Sequence, residues 1–269
     1  MLKQRIITAL ILAPIAIACV FFLPPLQFSA FLIIVLTLAA WEWANLADYE
    51  GVHRVIYALI LAICYSVSTL VDPLFVLIPG LLWWLFAFFL VVRYPAMTGI
   101  WSGKPVRSVI GILMLVPGYV GLMQLKLAAD SEFLILLLFF LIWGADIGAY
   151  FSGRAFGNKK LAPAVSPGKS WAGVYGGVIF ATAIAIVMCI WLGKPDLASA
   201  RGILFILACV AIIMISVLGD LVESMFKRNR GIKDSSNLLP GHGGLLDRLD
   251  SLLSAAPTFA LFILIYGWQ

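Results

Sequence analysis

Apolar residues in this chain come in long, nearly unbroken blocks rather than alternating with polar ones. The blocks lie at about 6–22, 28–46, 55–71, 74–92, 109–125, 133–150, 174–192, 203–218 and 252–266. Each approaches the roughly 20 apolar residues that carry a helix across a bilayer. In lipid an open strand cannot satisfy its own backbone, whereas a helix can. The pattern therefore predicts an all-α fold, a polytopic bundle of about nine transmembrane helices. The first block follows Lys3 and Arg5, as a signal peptide would. It lacks a clear small-x-small cleavage site, however, and runs through Leu23-Pro24-Pro25-Leu26 into the next block, so it reads as the first span. Two polar stretches are long, 151–173 and 220–251. They divide the chain into residues 1–132, with about five spans, and residues 133–269, a transmembrane region that carries both polar loops. No internal repeat is visible.

Composition agrees with this reading. Of 269 residues, 63% are hydrophobic and 12% charged, against about 25% charged in a soluble domain. That excludes a soluble globule, a disordered chain and a disulfide scaffold, and leaves no room for a separate soluble domain. Cys19, Cys64, Cys189 and Cys209 all sit inside apolar blocks without a CxxC pair, and read as free structural thiols.

The net charge of +5 is explained by topology and does not call for nucleic acid. With the N-terminus inside, Lys126, Lys194 and Arg201 face outward and the other fifteen of the eighteen Lys and Arg face inward. This is a strong positive-inside bias. It puts both long polar loops on the cytoplasmic side and the C-terminus outside, and the organelle-free reading is a bacterial inner membrane with its site facing the cytoplasm.

Acidic residues at membrane depth are costly and point to function. Glu42, Asp146 and Asp220 lie in or at the edge of apolar blocks. Asp220 and Glu223 are three apart, so a continuing helix puts them on one face, and Lys227 joins that face. Asp247 and Asp250 repeat the spacing at the start of the last span. Carboxylate pairs at helix ends near water suit magnesium, which takes one or two carboxylates together with substrate phosphates. Lys227, Arg228, Arg230, Lys233 and Arg248 are suited to phosphate oxygens. Between the acidic pairs lies Pro240-Gly241-His242-Gly243-Gly244, where glycines let the backbone approach an anion. Taken singly, these features have plainer readings: a basic loop that holds acidic lipids, surface ion pairs, an ordinary turn. Together they describe a polyphosphate site.

The segment resembles the signature of the phosphatidate cytidylyltransferases, or CDP-diacylglycerol synthases. All its fixed positions are filled, by Ser224, Lys227, Arg228, Lys233, Asp234, Ser236, Pro240, His242, Gly243, Gly244, Asp247, Arg248 and Asp250. The first polar loop is similar to the same family in its Gly-Ala-Asp146-Ile-Gly-Ala-Tyr150, Gly153-Arg154-Ala-Phe-Gly157-Asn-Lys159-Lys160 and Ser166-Pro-Gly-Lys169-Ser170 stretches. It departs at Ser170, where Thr is usual, and at Ala172, where Glu or Gln is common. The first change keeps the hydroxyl; the second argues against an essential side chain at 172. Asp146 is read as the end of its helix, with Gly148 two residues on, and is a metal or ribose contact or else a polar residue that holds helices together.

The resemblance implies CMP transfer from CTP to phosphatidate, a membrane lipid, giving CDP-diacylglycerol and pyrophosphate. It implies Asp220 and Asp247 as magnesium ligands, with room for a second, monovalent cation. Glu223, Asp250 and Asp146 are second-rank ligands or orienters. Lys227, Arg228, Lys233 and Arg248 are phosphate contacts, joined by Gly243, Gly244, Lys159, Lys160, Ser166 and Lys169, and His242 donates to a phosphate or assists the leaving group. It further implies a homodimer. Two other readings stay open: a CTP-dependent polyprenol kinase, and an ion-coupled transporter using Glu42, Asp146 and Asp220.

Overall fold

A computed structural model of the chain describes residues 14–15 and 17–268. The first apolar block, 6–22, lies largely outside the described residues; its end is helical to Phe22. The helices that follow are α1 (Pro25–Leu46), α2 (Val52–Ser68), α3 (Leu74–Arg93), the short α4 (Thr98–Trp101), α5 (Lys104–Leu127), α6 (Ser131–Phe156), α7 (Trp171–Leu192), α8 (Ala200–Arg230) and α9 (Leu246–Tyr266). Strands β1 (Lys160–Ala162) and β2 (Ser166–Ser170) form a small antiparallel hairpin between α6 and α7. The protein is a polytopic membrane helix bundle. Seven helices among the described residues are long and apolar enough to cross a bilayer; α2, with 17 residues, is a shorter apolar helix. The other two of the nine blocks are the first, largely outside the described residues, and α2.

Large apolar side chains cover the outside of the bundle. Leu59, Ile63, Phe88, Val187 and Ile190 are each more than half exposed, which costs nothing where the solvent is lipid. The interior is filled by aromatic rings. Phe226 of α8 meets Trp43 of α1 at 4.9 Å and Trp101 of α4 at 4.6 Å, both edge-on. Such pairs add to area burial, and here they tie the C-terminal end of α8 to the N-terminal helices. Arg107 of α5 completes the tie: it donates to the Leu46 carbonyl at 2.8 Å and to the side chain of Asn229. All four cysteines are free, with Cys189 and Cys209 buried.

Helices α6 and α7 pack closely because their contact is made of small residues. A Cβ on Gly148 would stand 2.6 Å from the Gly176 carbonyl oxygen, nearer than real Cβ atoms come, so only glycine permits this approach.

The polar stretches are shorter than the apolar pattern suggests. α6 continues through Tyr150 to Phe156, leaving 157–170 for the hairpin. Asp146 is thus in the body of a helix, not at its end. α8 continues to Arg230 and α9 already begins at Leu246, so the loop proper is 231–245. Charged side chains hide these ends in the sequence. Lys227, Arg228 and Arg230 occupy the last turn of α8, where cations complement the helix dipole. Gly231, at φ +73°, then ends it, with its N–H on the Arg228 carbonyl and that of Ile232 on Lys227, as in a left-handed C-terminal cap.

Candidate active site

The end of α8, the start of α9, the 231–245 loop and the β-hairpin come together at one end of the bundle. Because α8 stays helical, Asp220, Glu223 and Lys227 share one face. Lys227 Nζ lies 2.6 Å from Asp247 Oδ1 and 3.4 Å from Glu223 Oε1. The other Asp247 oxygen accepts from the Gly244 amide at 2.7 Å, the Ser235 amide at 3.0 Å and the Ser235 hydroxyl at 3.1 Å. Asp247 is therefore held from both sides. Glu223 is fully buried, and neither of its oxygens takes a hydrogen bond from an N–H or hydroxyl donor among the described residues.

Asp220 faces the hairpin. Its Oδ2 is 2.7 Å from Lys169 Nζ, and its Oδ1 accepts from Ser224 Oγ at 3.2 Å. Arg228 donates to the Val165 carbonyl at 3.2 Å, so α8 grips the hairpin at two points. Ser170 caps α7 by accepting from the Gly173 amide at 3.2 Å. This fixes the direction from which Lys169 reaches Asp220, and it shows why a hydroxyl at 170 suffices where Thr is usual. Asp146, Tyr150, Arg154, Lys169 and Ser170 line a cleft of about 390 Å³ between α6, α7 and α8, whose apolar wall includes Ile213 and Val217.

In the glycine turn, Arg248 donates through Nε and Nη2 to the His242 carbonyl, at 3.2 and 2.8 Å. His242 Nδ1 is buried with no hydrogen-bond partner among the described residues. Gly243 has φ +84°, a region glycine enters freely. Ser166 is half-buried in β2, while Lys159, Lys160 and Lys233 are exposed. Exposure suits a reach towards solvent or headgroups but brings these three no fixed contact in the site.

Two residues beyond the expected set are central. Glu42 of α1 is fully buried, and its carboxylate accepts from the amides of Leu245 and Leu246 at 2.9 and 2.5 Å. Ser235, also fully buried, lies between Glu42 and Asp247. Glu42 stands out in the sequence as a charge in an apolar block, but nothing local says what it meets. Ser235 carries no signal beyond its place in a polar loop.

The donors here are all oxygens, hard ligands of the kind magnesium prefers, and Glu223 is buried beside them with Lys227 Nζ 3.4 Å from its Oε1. Among the described residues no three Asp, Glu, His or Cys side chains form a metal cage.

Acidic side chains held by lysines, a glycine turn and a cleft at the end of a membrane helix bundle define a membrane protein built to handle phosphate groups. The Cytidylyltransferase family model matches residues 3–266. The phosphatidate cytidylyltransferase of Pseudomonas aeruginosa is 48% identical over 273 residues, covering 100% of this chain and 99% of the relative. That of Haemophilus influenzae is 41% identical over 284 residues, 97% and 98% of the two chains. That of Brucella suis is 41% identical over 153 residues, 56% of this chain and 55% of the relative. The chain belongs to the cytidylyltransferase family.

Proposed function

We infer that the protein is an integral-membrane phosphatidate cytidylyltransferase, transferring CMP from CTP to phosphatidate to give CDP-diacylglycerol and pyrophosphate. One observation carries the reading: the full-length match, at 48% identity, to the Pseudomonas aeruginosa phosphatidate cytidylyltransferase. The site chemistry supports it. A phosphatidate oxygen attacks the α-phosphorus of CTP, and the bond to the β-phosphate breaks. The nucleophile is a phosphate monoester, whose second pKa is about 6, so it is already ionised and needs no strong base. The obstacle is the repulsion between two anions. Lys227, Arg228, Lys233 and Arg248 answer it by binding phosphate oxygens, and Lys169 does so from the hairpin. Lys159, Lys160, Ser166 and the Gly243 amide extend the same cradle, whereas the Gly244 amide, expected to join them, is committed to Asp247 Oδ2.

Asp220 and Asp247 are the magnesium ligands of this reading, with Glu223, Asp250 and Asp146 behind them. Bound magnesium supplies Lewis acidity and neutralises phosphoryl charge; a monovalent cation sharing the carboxylates would do the second only. In this reading His242 donates to a phosphate or assists the leaving group. The lipid enters from the inner leaflet of a bacterial cytoplasmic membrane, through the cleft beside Asp146. The topology has nine spans, with the N-terminus in the cytoplasm.

Purified protein in detergent, given phosphatidate, magnesium and CTP labelled at the α-phosphate, is expected to put label into the lipid. CTP labelled at the γ-phosphate should leave the lipid unlabelled. The reverse pattern is that of a CTP-dependent lipid kinase and would overturn the reading.

A further inference from the structure

Helix α9 starts without a cap of its own. Its N-cap residue is Leu245, which has no side-chain acceptor to offer, yet the first amides of a helix have no partner within it. The acceptor comes from the far end of the chain. Glu42 of α1 takes the Leu245 amide on Oε1 and the Leu246 amide on Oε2. It also takes the Ser236 hydroxyl at 2.5 Å on Oε1, and Ser235 Oγ lies 3.3 Å from Oε2. Three donors are thus fixed on the carboxylate, and the single Ser235 hydroxyl proton lies between it and Asp247; its negative charge lies where the helix dipole favours one.

The contact continues to Asp247. Ser235 Oγ lies 3.3 Å from Glu42 Oε2 and 3.1 Å from Asp247 Oδ2. Gly244 sits in the same angle: a Cβ there would stand 1.9 Å from Ser235 Oγ and 2.8 Å from Glu42 Oε1. Asn45, one helical turn beyond Glu42, donates to the Ser235 carbonyl at 3.3 Å. The cytoplasmic end of α1 thus holds both the loop and the helix start that present Asp247.

We propose that Glu42 is a positioning residue for cytidylyl transfer, which sets the Asp247 carboxylate by capping α9 and by holding Ser235 against it. The proposal rests on the reading of Asp247 as a working carboxylate. Glu42 touches no substrate; it fixes the side chain that does.

The test compares Glu42→Gln, Glu42→Asp, Ser235→Ala and Asp247→Asn, purified in detergent. Glu42→Gln keeps the shape but turns one acceptor into a donor. Glu42→Asp keeps the charge but is too short to reach α9. Both are expected to lower kcat by about tenfold to a hundredfold, the scale on which misplacing a reacting group by an ångström acts. The magnesium concentration for half-maximal rate should rise, with KM for phosphatidate within about twofold of wild type, a split that general loss of folded protein does not produce. Hydrogen exchange without substrate should show the Leu245 and Leu246 amides losing protection in both variants. Ser235→Ala leaves the cap in place and should lower kcat with those amides still protected. It also carries the test if the Glu42 variants fail to fold. Wild-type kcat and magnesium dependence in Glu42→Gln, or in Ser235→Ala, would overturn the proposal. An inactive Asp247→Asn beside such variants would leave the reading of Asp247 standing. A fully active Asp247→Asn would sink both.

Discussion

The ammonium group of Lys169 lies 2.7 Å from Oδ2 of Asp220. The pair joins the β-hairpin after α6 to the middle of the longest helix, and both partners are only partly exposed. It brings the two polar stretches into a single site, which the sequence presents as two loops 50 residues apart.

Lys169→Met is expected to lower kcat/KM for CTP by about tenfold to a hundredfold, the scale of one charge-assisted hydrogen bond. Lys169→Arg should retain more activity, because it keeps the charge. Steady-state kinetics at saturating phosphatidate measures both. Equal activity in Lys169→Met and wild type would remove Lys169 from the site.

Asp220→Asn and Asp247→Asn should each reduce turnover by at least about a hundredfold, and added magnesium should not restore it. Both variants should still be extracted from the membrane as monodisperse protein. Size-exclusion profiles together with the radiolabel assay read the two effects separately, and a turnover near that of wild type in either variant would count against its role.

Gly244→Ala tests the close approach at the head of α9. The added methyl would stand 1.9 Å from Ser235 Oγ and 2.8 Å from Glu42 Oε1. Overpacking of this kind costs about 1–3 kcal/mol. A lower melting temperature is expected in thermal unfolding, with reduced activity because the clash is resolved beside Asp247. Gly168→Ala, which meets nothing within 4 Å, serves as the matched control for stability.

At the opposite end, Asp130 pairs with Lys194 and accepts from Trp268 Nε1 at 3.3 Å. The Lys194 hydrogen bond holds its carboxyl below the usual range. The pair's stabilisation is therefore complete above the unfolded-chain value, near 4, and is lost as pH falls through the lower folded value. Asp130→Asn should cost under about 1 kcal/mol at neutral pH, as exposed pairs do. The difference from wild type should shrink in melting curves as pH is taken down through the lowered folded value, where Asp130 becomes protonated and neutral like the Asn. A difference that persists in acid would assign the effect to packing.

The apolar blocks made the helices legible because a helix in lipid must satisfy its own backbone. Each block stands for itself, and eight of the nine correspond to helices among the described residues. Their ends were less legible. Arg228 and Arg230 read as loop, yet they complete α8, since a helix can leave the apolar layer without stopping. The spacing of Asp220, Glu223 and Lys227 was readable for the same reason that α8 was: contacts three or four residues apart belong to one helix.

Sequence alone determined the membrane bundle and the shared helix face of Asp220, Glu223 and Lys227, because run length and helical spacing are local properties. Tertiary structure alone decided what those residues touch. Glu42 meets Leu245 across 203 positions, Asn45 meets Ser235 across 190, and Lys169 finds Asp220 only once the hairpin folds back onto α8. Such contacts depend on how the helices pack side by side. A buried carboxylate announces that it needs partners, but only the packed bundle supplies them.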